Sequence, residues 1–245
     1  MSLVEGVKRK LNILIMTLQE FSVSFDILYN NISSNQAPGL TEYEKSVFLT
    51  QAQEAIVLDL YKGTGGDSFE STEEVTRYLN TLVKATTLTQ DNVKETPILN
   101  AKRFKFSEEV KKELMFILYQ SAQIYTDVLK SQTRDVLVVP TTLDRVYKEM
   151  QNPFKKSNNN RVLALSSEDC IDLITDKDIK EFYIKYLKRP SPIILPNSLE
   201  GGLSINGITE DAGYLPEDTI ELPASTHRSI LLRAIQLAQM VWKTS

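Results

Sequence analysis

The sequence is poor in the residues that build disulfides, metal sites and catalytic triads. Among its 245 residues there is one cysteine, Cys170, and one histidine, His227. A single cysteine excludes an intramolecular disulfide, and one cysteine with one histidine cannot form a zinc site. The chain also lacks a G-x-S-x-G motif and any Cys/His nucleophile signature. The sequence therefore predicts no catalytic residue, no bound metal and no cofactor.

Glycine-rich and acidic stretches are present, but they do not match known binding loops. The GTGGD stretch at residues 63–67 lacks the lysine and the hydroxyl residue of a phosphate loop. The TDKDIKE stretch has acidic residues but lacks the glycine of a calcium loop. Glu73–Glu74 and Glu108–Glu109 have the residue type used in glycoside hydrolysis, yet they resemble solvated helix faces. A hydrolase therefore stays open only as an alternative function.

Long apolar runs and a strong net charge are also missing. The apolar run near the N-terminus, Leu11–Met16, is broken by Asn12 and is too short for a signal peptide or a membrane span. The formal charge of −4 argues against tight, non-specific binding to nucleic acid. Tyr183 and Tyr186 beside Lys188 could stack on bases, so a DNA-handling module is a second alternative.

Apolar residues recur at helical spacing near both ends of the chain. After residues 1–15, which we interpret as an N-terminal extension, residues 17–32 predict an amphipathic helix. A second helix begins at Thr41, where Glu44 has the spacing of a capping box. Residues 223–245 predict a further helix whose wide apolar face includes alanines. We expect these helices to bury their apolar faces against one another.

The residues between these helices are rich in β-branched and aromatic side chains. The elements predicted there are strands at 113–125 and 134–140, a short helix at 142–150, and strands at 161–167 and 182–188. Residues 196–222 contain frequent Pro, Gly and Asn, and we interpret them as a long arm. The sequence thus predicts an α+β fold in which the N-terminal helices and the C-terminal helix form a helical bundle, with an inserted, mainly antiparallel β region and long loops. The predicted limits are an extension at 1–15, a helical part at 16–87, the β-rich insert at 88–222 and the C-terminal helix at 223–245.

Four stretches, in order along the chain, carry a family resemblance. They are FDILYNNISSNQAPGLTEYEKSVFLTQAQEAIVLDLYKG (25–63), VVPTTLDRVYKEMQNPFKK (138–156), YIKYLKRPSPIIL (183–195) and ELPASTHRSILLRAIQLA (221–238). Together they resemble the structural ring or connector proteins of crAss-like bacteriophages, which lie between portal and tail. The first stretch is the most distinctive of the four.

The resemblance implies a function and a set of partners. It implies a virion structural protein of the tail or connector region that forms a homo-oligomeric, dodecameric ring in the tail barrel below the portal. The ring would contact the portal and other ring and tail proteins, and DNA would leave through its channel without specific binding. We expect no enzymatic activity and no membrane partner. The alternatives are a virion-associated hydrolase or a DNA-handling module.

Two stretches are candidate subunit interfaces. The candidate residues are Lys188, Arg189, Pro190, Leu203, Ile205 and Ile208. The first three end the predicted strand at 182–188, and a proline cannot donate a hydrogen bond to a sheet. We therefore expect the chain to leave the sheet there as the arm. The last three lie on the arm, where they could add a strand to an exposed sheet edge of a neighbouring copy.

Overall fold

The structure, a computed structural model, describes residues 16–32, 39–62, 78–90, 100–209 and 220–244. The chain divides into two compact units, one formed by Met1–Leu82 with Pro190–Ser245 and the other by Val83–Arg189. The first unit is mainly helical and the second is built mainly from strands, so the predicted mixed α+β class is confirmed. Residues 190–209 belong to the helical unit, whereas the sequence analysis assigned them to the β-rich insert.

The long helices lie near the two ends of the chain. The helices with described bounds are α1 (Leu18–Ile32), α2 (Glu42–Lys62), α3 (Glu108–Glu113), α4 (Val146–Gln151) and α5 (Ala224–Thr244), and a 3-10 helix spans Asn80–Leu82. The predicted capping box is present at the start of α2. Thr41 N donates to Glu44 Oε2 (2.8 Å), and Glu44 N donates to Thr41 Oγ1 (3.3 Å). Thr17 and Glu20 make the same pair of bonds at the start of α1.

The C-terminal helix α5 is the main helical partner of both α1 and α2. It contacts each of them over a longer stretch than they contact one another. Phe21 and Phe25, from the predicted apolar face of α1, are fully buried. Burial of a large apolar side chain contributes about 1.5–3 kcal/mol, so this face is a main source of stability. None of the described helices has the length and apolar character needed to cross a membrane.

The strand-rich unit is a closed barrel. Its strands are β1 (Val83–Gln90), β2 (Ala101–Lys105), β3 (Leu114–Tyr125), β4 (Thr133–Thr141), β5 (Arg161–Ser166), β6 (Cys170–Ile174) and β7 (Ile179–Lys188). Around the barrel they follow the order β1-β2-β6-β5-β4-β3-β7, and β7 pairs with β1 to close it. All neighbours are antiparallel except β4 and β5. A parallel pair needs a crossover connection, and residues 142–160, which include α4, provide it.

Side chains that alternate along the strands fill the barrel interior. Phe182, Ile184 and Tyr186 of β7 belong to this buried cluster. Phe104 of β2 packs edge-to-face on Phe182, with ring centroids 5.1 Å apart. Tyr186 is therefore a core residue and cannot stack on bases, which removes one of the two tyrosines that suggested a DNA-handling module.

The predicted strands are present, but β7 is not at an edge. The predictions at 113–125, 134–140, 161–167 and 182–188 correspond to β3, β4, β5 and β7, and the short helix corresponds to α4. Because β7 pairs with β1 on one side and β3 on the other, it has no open edge that a neighbour's strand could extend. The strands β1, β2 and β6 were not predicted. The apolar spacing of residues 71–82 also predicts a helix, and most of this stretch lies outside the described residues.

Candidate interaction surfaces

The chain that follows β7 runs in extended form along α2. Three buried polar side chains of α2 hydrogen-bond its backbone at every second residue. Leu195 N donates to Ser46 Oγ (3.0 Å), Ile193 N donates to Thr50 Oγ1 (3.1 Å), and Gln53 Nε2 donates to Ser191 O (3.1 Å). Ser46, Thr50 and Gln53 are four and three residues apart, so they lie on one face of the helix. In an extended chain every second residue faces the same side, so each of the three can reach one backbone group of residues 191–195. These bonds fix residues 191–195 to the helical unit.

Apolar residues of the next stretch pack on the same helix. Ile194, Leu199 and Ile205 form a buried cluster, and Tyr43 and Val47 of α2 pack against it. The first half of the predicted arm is therefore part of the chain's own core. This finding corrects the interpretation of residues 196–222 as an arm for the part that the structure describes.

A short hairpin completes this packing. Strands β8 (Ser204–Ile205) and β9 (Ile208–Thr209) are joined by Asn206 and Gly207, both with positive φ, as a two-residue hairpin turn requires. Asn206 Nδ2 donates to Glu54 Oε1 of α2 at 3.1 Å, and Tyr43 Oη donates to Ser204 O at 3.3 Å. The hairpin is thus tied to α2 by polar as well as apolar contacts.

The structure divides the predicted interface residues into buried and accessible ones. Pro190 and Ile205 are buried, Lys188 and Ile208 are partly buried, Arg189 is exposed, and Leu203 is 41% exposed. The backbone N of Arg189 donates to Glu113 O at 2.6 Å, so the chain is still held where β7 ends. The two buried residues stabilise the subunit itself and present no surface to a neighbour. Residues 210–219 of the arm lie outside the described residues.

The outer face of the barrel carries a groove across β4, β3 and β7. Leu137, Ser121 and Tyr183 are directly opposite one another on these three strands, and Tyr119 lies two residues further along β3. The small Ser121 between two large side chains leaves a depression, and the groove has a volume of about 500 Å³. Leu137 is 61% exposed although it is apolar. The neighbouring row is acidic, because Gln123 of β3 pairs with an aspartate on β4 and a glutamate on β7.

The crossover between β4 and β5 exposes a second apolar surface. Val146 and Met150 of α4 pack down on the outside of the barrel, in the cluster that includes residues of β5 and β6. Leu143 and Tyr147, which face away from this packing, are exposed, and Phe154 in the following turn is 90% exposed. We call the surface formed by Leu143, Tyr147 and Phe154 with the neighbouring basic residues the crossover face.

The turn that presents Phe154 is ordered by hydrogen bonds. Phe154 N donates to Asn152 Oδ1 at 2.9 Å. The backbone N atoms of Lys155 and Lys156 both donate to Asn152 O, at 3.1 Å and 2.9 Å. The exposed ring is therefore held in place by its own turn, which lowers the entropy that a partner would have to remove on binding.

The loop between β3 and β4 exposes two further apolar residues. Val128 and Leu129 are 98% and 88% exposed. Lys130 beside them pairs with Asp178 at 2.9 Å. Hydrogen bonds from Lys102 and Lys130 lower the pKa of Asp178 to about 2, so this carboxylate stays charged at neutral and mildly acidic pH.

Cys170 and His227 lie in different units and in buried environments. Burial raises the pKa of the Cys170 thiol, which disfavours the reactive thiolate. His227 Nε2 lies 3.1 Å from Leu222 O, and its ring packs edge-on against Phe21. Burial lowers the pKa of His227. Within the described ranges, no group of three or more His, Cys, Asp or Glu residues is placed to hold a metal ion.

The fold and these surfaces define a class of protein: an α+β subunit with a closed barrel and large apolar side chains displayed on ordered elements, as in components of assemblies. Comparison with known proteins supplies the family. The chain belongs to the phage tail ring protein 3/4 family, whose model matches residues 16–245. The match begins directly after residues 1–15, for which the interpretation as an extension stays a prediction.

Two proteins of Bacteroides phage crAss001 are similar to the chain over nearly its whole length. Ring protein 3 is 37% identical over 228 residues, which cover 91% of this chain and 95% of that protein. Ring protein 4/5 is 31% identical over 239 residues, covering 93% of this chain and 94% of that protein. The resemblance to ring proteins of crAss-like phages is therefore confirmed.

Proposed function

We propose that the protein is a virion structural protein that forms a ring in the connector or tail barrel, below the portal, through which the genome leaves. Family membership and the names of both relatives support a ring. The observation that carries the proposal is the display of Leu137, Phe154 and Val128 on ordered parts of a closed barrel. Monomeric proteins rarely expose large contiguous apolar patches unless these bind a partner.

A ring of identical subunits needs two different faces on each subunit, because one face contacts the preceding copy and the other the following copy. The closed barrel has no free strand edge, so contacts between barrels would use side chains. We propose a dodecamer whose other surfaces contact the portal and further ring and tail proteins. Arg189 directly after β7 and Leu203 directly before β8 are exposed and are proposed contacts, with Lys188 and Ile208 near them in the chain.

The helical unit would act as one bundle in this assembly. The contacts of α5 with both α1 and α2 support that arrangement. A channel for DNA needs a wall that does not retain the genome, and the formal charge of −4 suits such a wall. Neither a hydrolase nor a DNA-handling module gains support from the surfaces described above, and the relatives are named as ring proteins. We therefore propose a non-enzymatic role.

Ring formation can be tested with the purified full-length chain. Negative-stain electron microscopy should show annular particles, and native mass spectrometry should give one closed oligomer of twelve copies. Binding to double-stranded DNA at moderate salt and release of sugar from cell-wall polymers should both stay at background. A protein that remains monomeric at all concentrations, or that hydrolyses wall polymers, would contradict the proposal.

A further inference from the structure

The groove and the crossover face are centred on different strands of the barrel. The groove is centred on β3, whereas α4 in the crossover packs on residues of β5 and β6 and on Val139 of β4. In the observed order, β5 and β6 stand two and three strands from β3. Two different surfaces on one subunit are what a head-to-tail contact between copies requires.

The crossover is basic, and one end of the groove is acidic. The crossover, residues 142–160, contains four basic residues, Arg145, Lys148, Lys155 and Lys156, against the two acidic residues Asp144 and Glu149. The exposed carboxylates of Asp135 and Glu181 lie at one end of the groove. Two basic residues border the rest of it, because Lys185 is opposite Tyr119 and Arg161 is opposite Leu137. Within the part of the chain that the structure describes, neither of these two carboxylates forms an ion pair. Both surfaces therefore have unused charge as well as unused apolar area.

The apolar parts also match. The crossover face projects the rings of Tyr147 and Phe154, and the groove is a depression bordered by Leu137 and Tyr183. Aromatic side chains that enter pockets are typical of residues that contribute most of the energy of protein interfaces. A projecting surface on one side and a concave surface on the other can be repeated from copy to copy.

From these observations we infer that the crossover face of one copy packs into the groove of the next copy. The aromatic rings fill the groove, and Lys155 and Lys156 lie near Asp135 and Glu181 of the neighbour. This inference rests on the proposed ring and assigns the contact that links its subunits. The occupant is a second copy of this chain, because the complementary shape and charge are both present on the same molecule.

Two variants of the full-length chain remove one surface each. Phe154→Ser with Lys155→Glu disables the crossover face, and Leu137→Ser with Glu181→Gln disables the groove. All four side chains are exposed, so both variants should keep the wild-type melting temperature. A matched control, Ile27→Ser with Glu168→Gln, changes one exposed apolar and one exposed acidic residue on neither surface.

Each variant alone should be monomeric, whereas the control should form rings like the wild type. When the two variants are mixed in equal amounts, one intact groove and one intact crossover face remain. Native mass spectrometry should then show a dimer of one copy of each, with no larger species, because both outer surfaces of that dimer are disabled. Raising the salt concentration should weaken the dimer, since charge contributes to the contact.

Different outcomes separate this inference from the proposed ring. If the wild type forms no oligomer, both the ring and this contact are wrong. If the wild type and both variants form rings, the ring stands and the assigned contact is wrong. If the variants are monomeric but their mixture gives no dimer, the two surfaces do not bind each other, and the inference is also overturned.

Discussion

Arg103 of β2 and Asp172 of β6 form a bidentate ion pair. Arg103 Nε donates to Asp172 Oδ1 at 2.8 Å, and Nη2 donates to Oδ2 at 2.9 Å. The two residues are directly opposite in register, and Asp172 is almost completely buried. An exposed pair such as Lys111 with Glu108 contributes little, because water solvates both charges. The buried pair matters more, since removal of the arginine would leave a carboxylate in the protein interior without its cation.

Replacement of one partner should therefore be more harmful than replacement of both. We expect Arg103→Met to lower the free energy of unfolding by about 3–5 kcal/mol. The double variant Arg103→Met with Asp172→Leu should recover most of this loss, because no charge remains buried. Urea denaturation of the full-length variants measures both values. Equal stability of the wild type and Arg103→Met would show that the pair is not needed to compensate the buried charge.

His227 should make the stability of the protein depend on pH. Burial lowers its pKa below the ordinary value of 6.5, so the unfolded chain takes up a proton before the folded chain does as the pH falls. The folded state is therefore fully stable above about pH 6.5 and loses stability as the pH falls from there toward the lowered pKa. The ring packs on Phe21, so protonation would place a charge against an apolar neighbour.

The variant His227→Leu isolates this contribution. We expect the wild type to lose more stability than the variant between pH 7 and pH 5, although the variant is less stable overall because Leu222 O loses its partner. Urea denaturation across this pH range gives the difference between the two chains. Identical pH dependence in both would exclude His227 as the cause. Ring formation at neutral pH should be unaffected by this substitution and by Cys170→Ala.

At the scale of the elements, α1 could be predicted from the sequence more fully than α2. The apolar face of α1 repeats at helical spacing, and Phe21, Phe25 and Tyr29 are buried as expected. On α2 the buried face includes Lys45, Ser46, Thr50 and Gln53. Three of these bind the backbone of residues 191–195, more than 130 positions away in the chain. A local pattern cannot reveal a polar face whose partner is so distant.

The missed strands have a related explanation. In β1, Leu88 is the only fully buried residue, so its sequence has no regular alternation of apolar and polar residues. In β6 all five residues are buried, because one face lines the barrel interior and the other is covered from outside. Such short segments lack the two-residue pattern that identifies a half-buried strand. Pairing within the closed barrel, rather than local preference, determines these two elements.

Two nearby residues at the hairpin of β8 and β9, Ile205 and Leu203, allow a core role and an interface role to be tested separately. Ile205 is 4% exposed and packs on α2, whereas Leu203 is accessible. Ile205→Ala should lower the free energy of unfolding by about 2–5 kcal/mol through loss of buried contacts. Leu203→Ala should change it by no more than about 0.5 kcal/mol. Thermal and urea unfolding of both variants should be compared with ring formation.

The two substitutions should affect different measurements: one should change stability and the other ring formation. If Leu203 contacts a neighbouring copy, Leu203→Ala weakens ring formation without changing the melting temperature. If Ile205→Ala melted like the wild type, the packing of the hairpin on α2 would not stabilise the fold. In that case the original interpretation of residues 196–222 as a free arm would regain support.

At the scale of the whole molecule, closure of the barrel decides how copies can meet. An open sheet can be extended by a neighbour's strand, but a closed barrel has every strand paired on both sides. The sequence predicted the right kind of protein through family resemblance, yet it placed the contacts on a strand edge and an arm. Further exposed apolar side chains lie on the outside of β3, β4 and β7, on the crossover and on the loop between β3 and β4. Only the three-dimensional arrangement shows that the groove and the crossover face are centred on different strands of the barrel.

Truncation tests whether the N-terminal residues contribute to folding and to ring formation. We expect a chain of residues 16–245 to melt and to form rings like the full-length protein, because the family match begins at residue 16 and the buried residues of α1 begin at Leu18. A shorter chain of residues 24–245 is the matched comparison, since it lacks Leu18 and Phe21, which are both buried. Loss of these two side chains removes core contacts with α5 and should lower the melting temperature strongly. Calorimetry measures stability and electron microscopy measures assembly for both chains. If residues 16–245 folded normally but formed no ring, the first 15 residues would contribute a subunit contact, and the interpretation of a dispensable extension would be wrong.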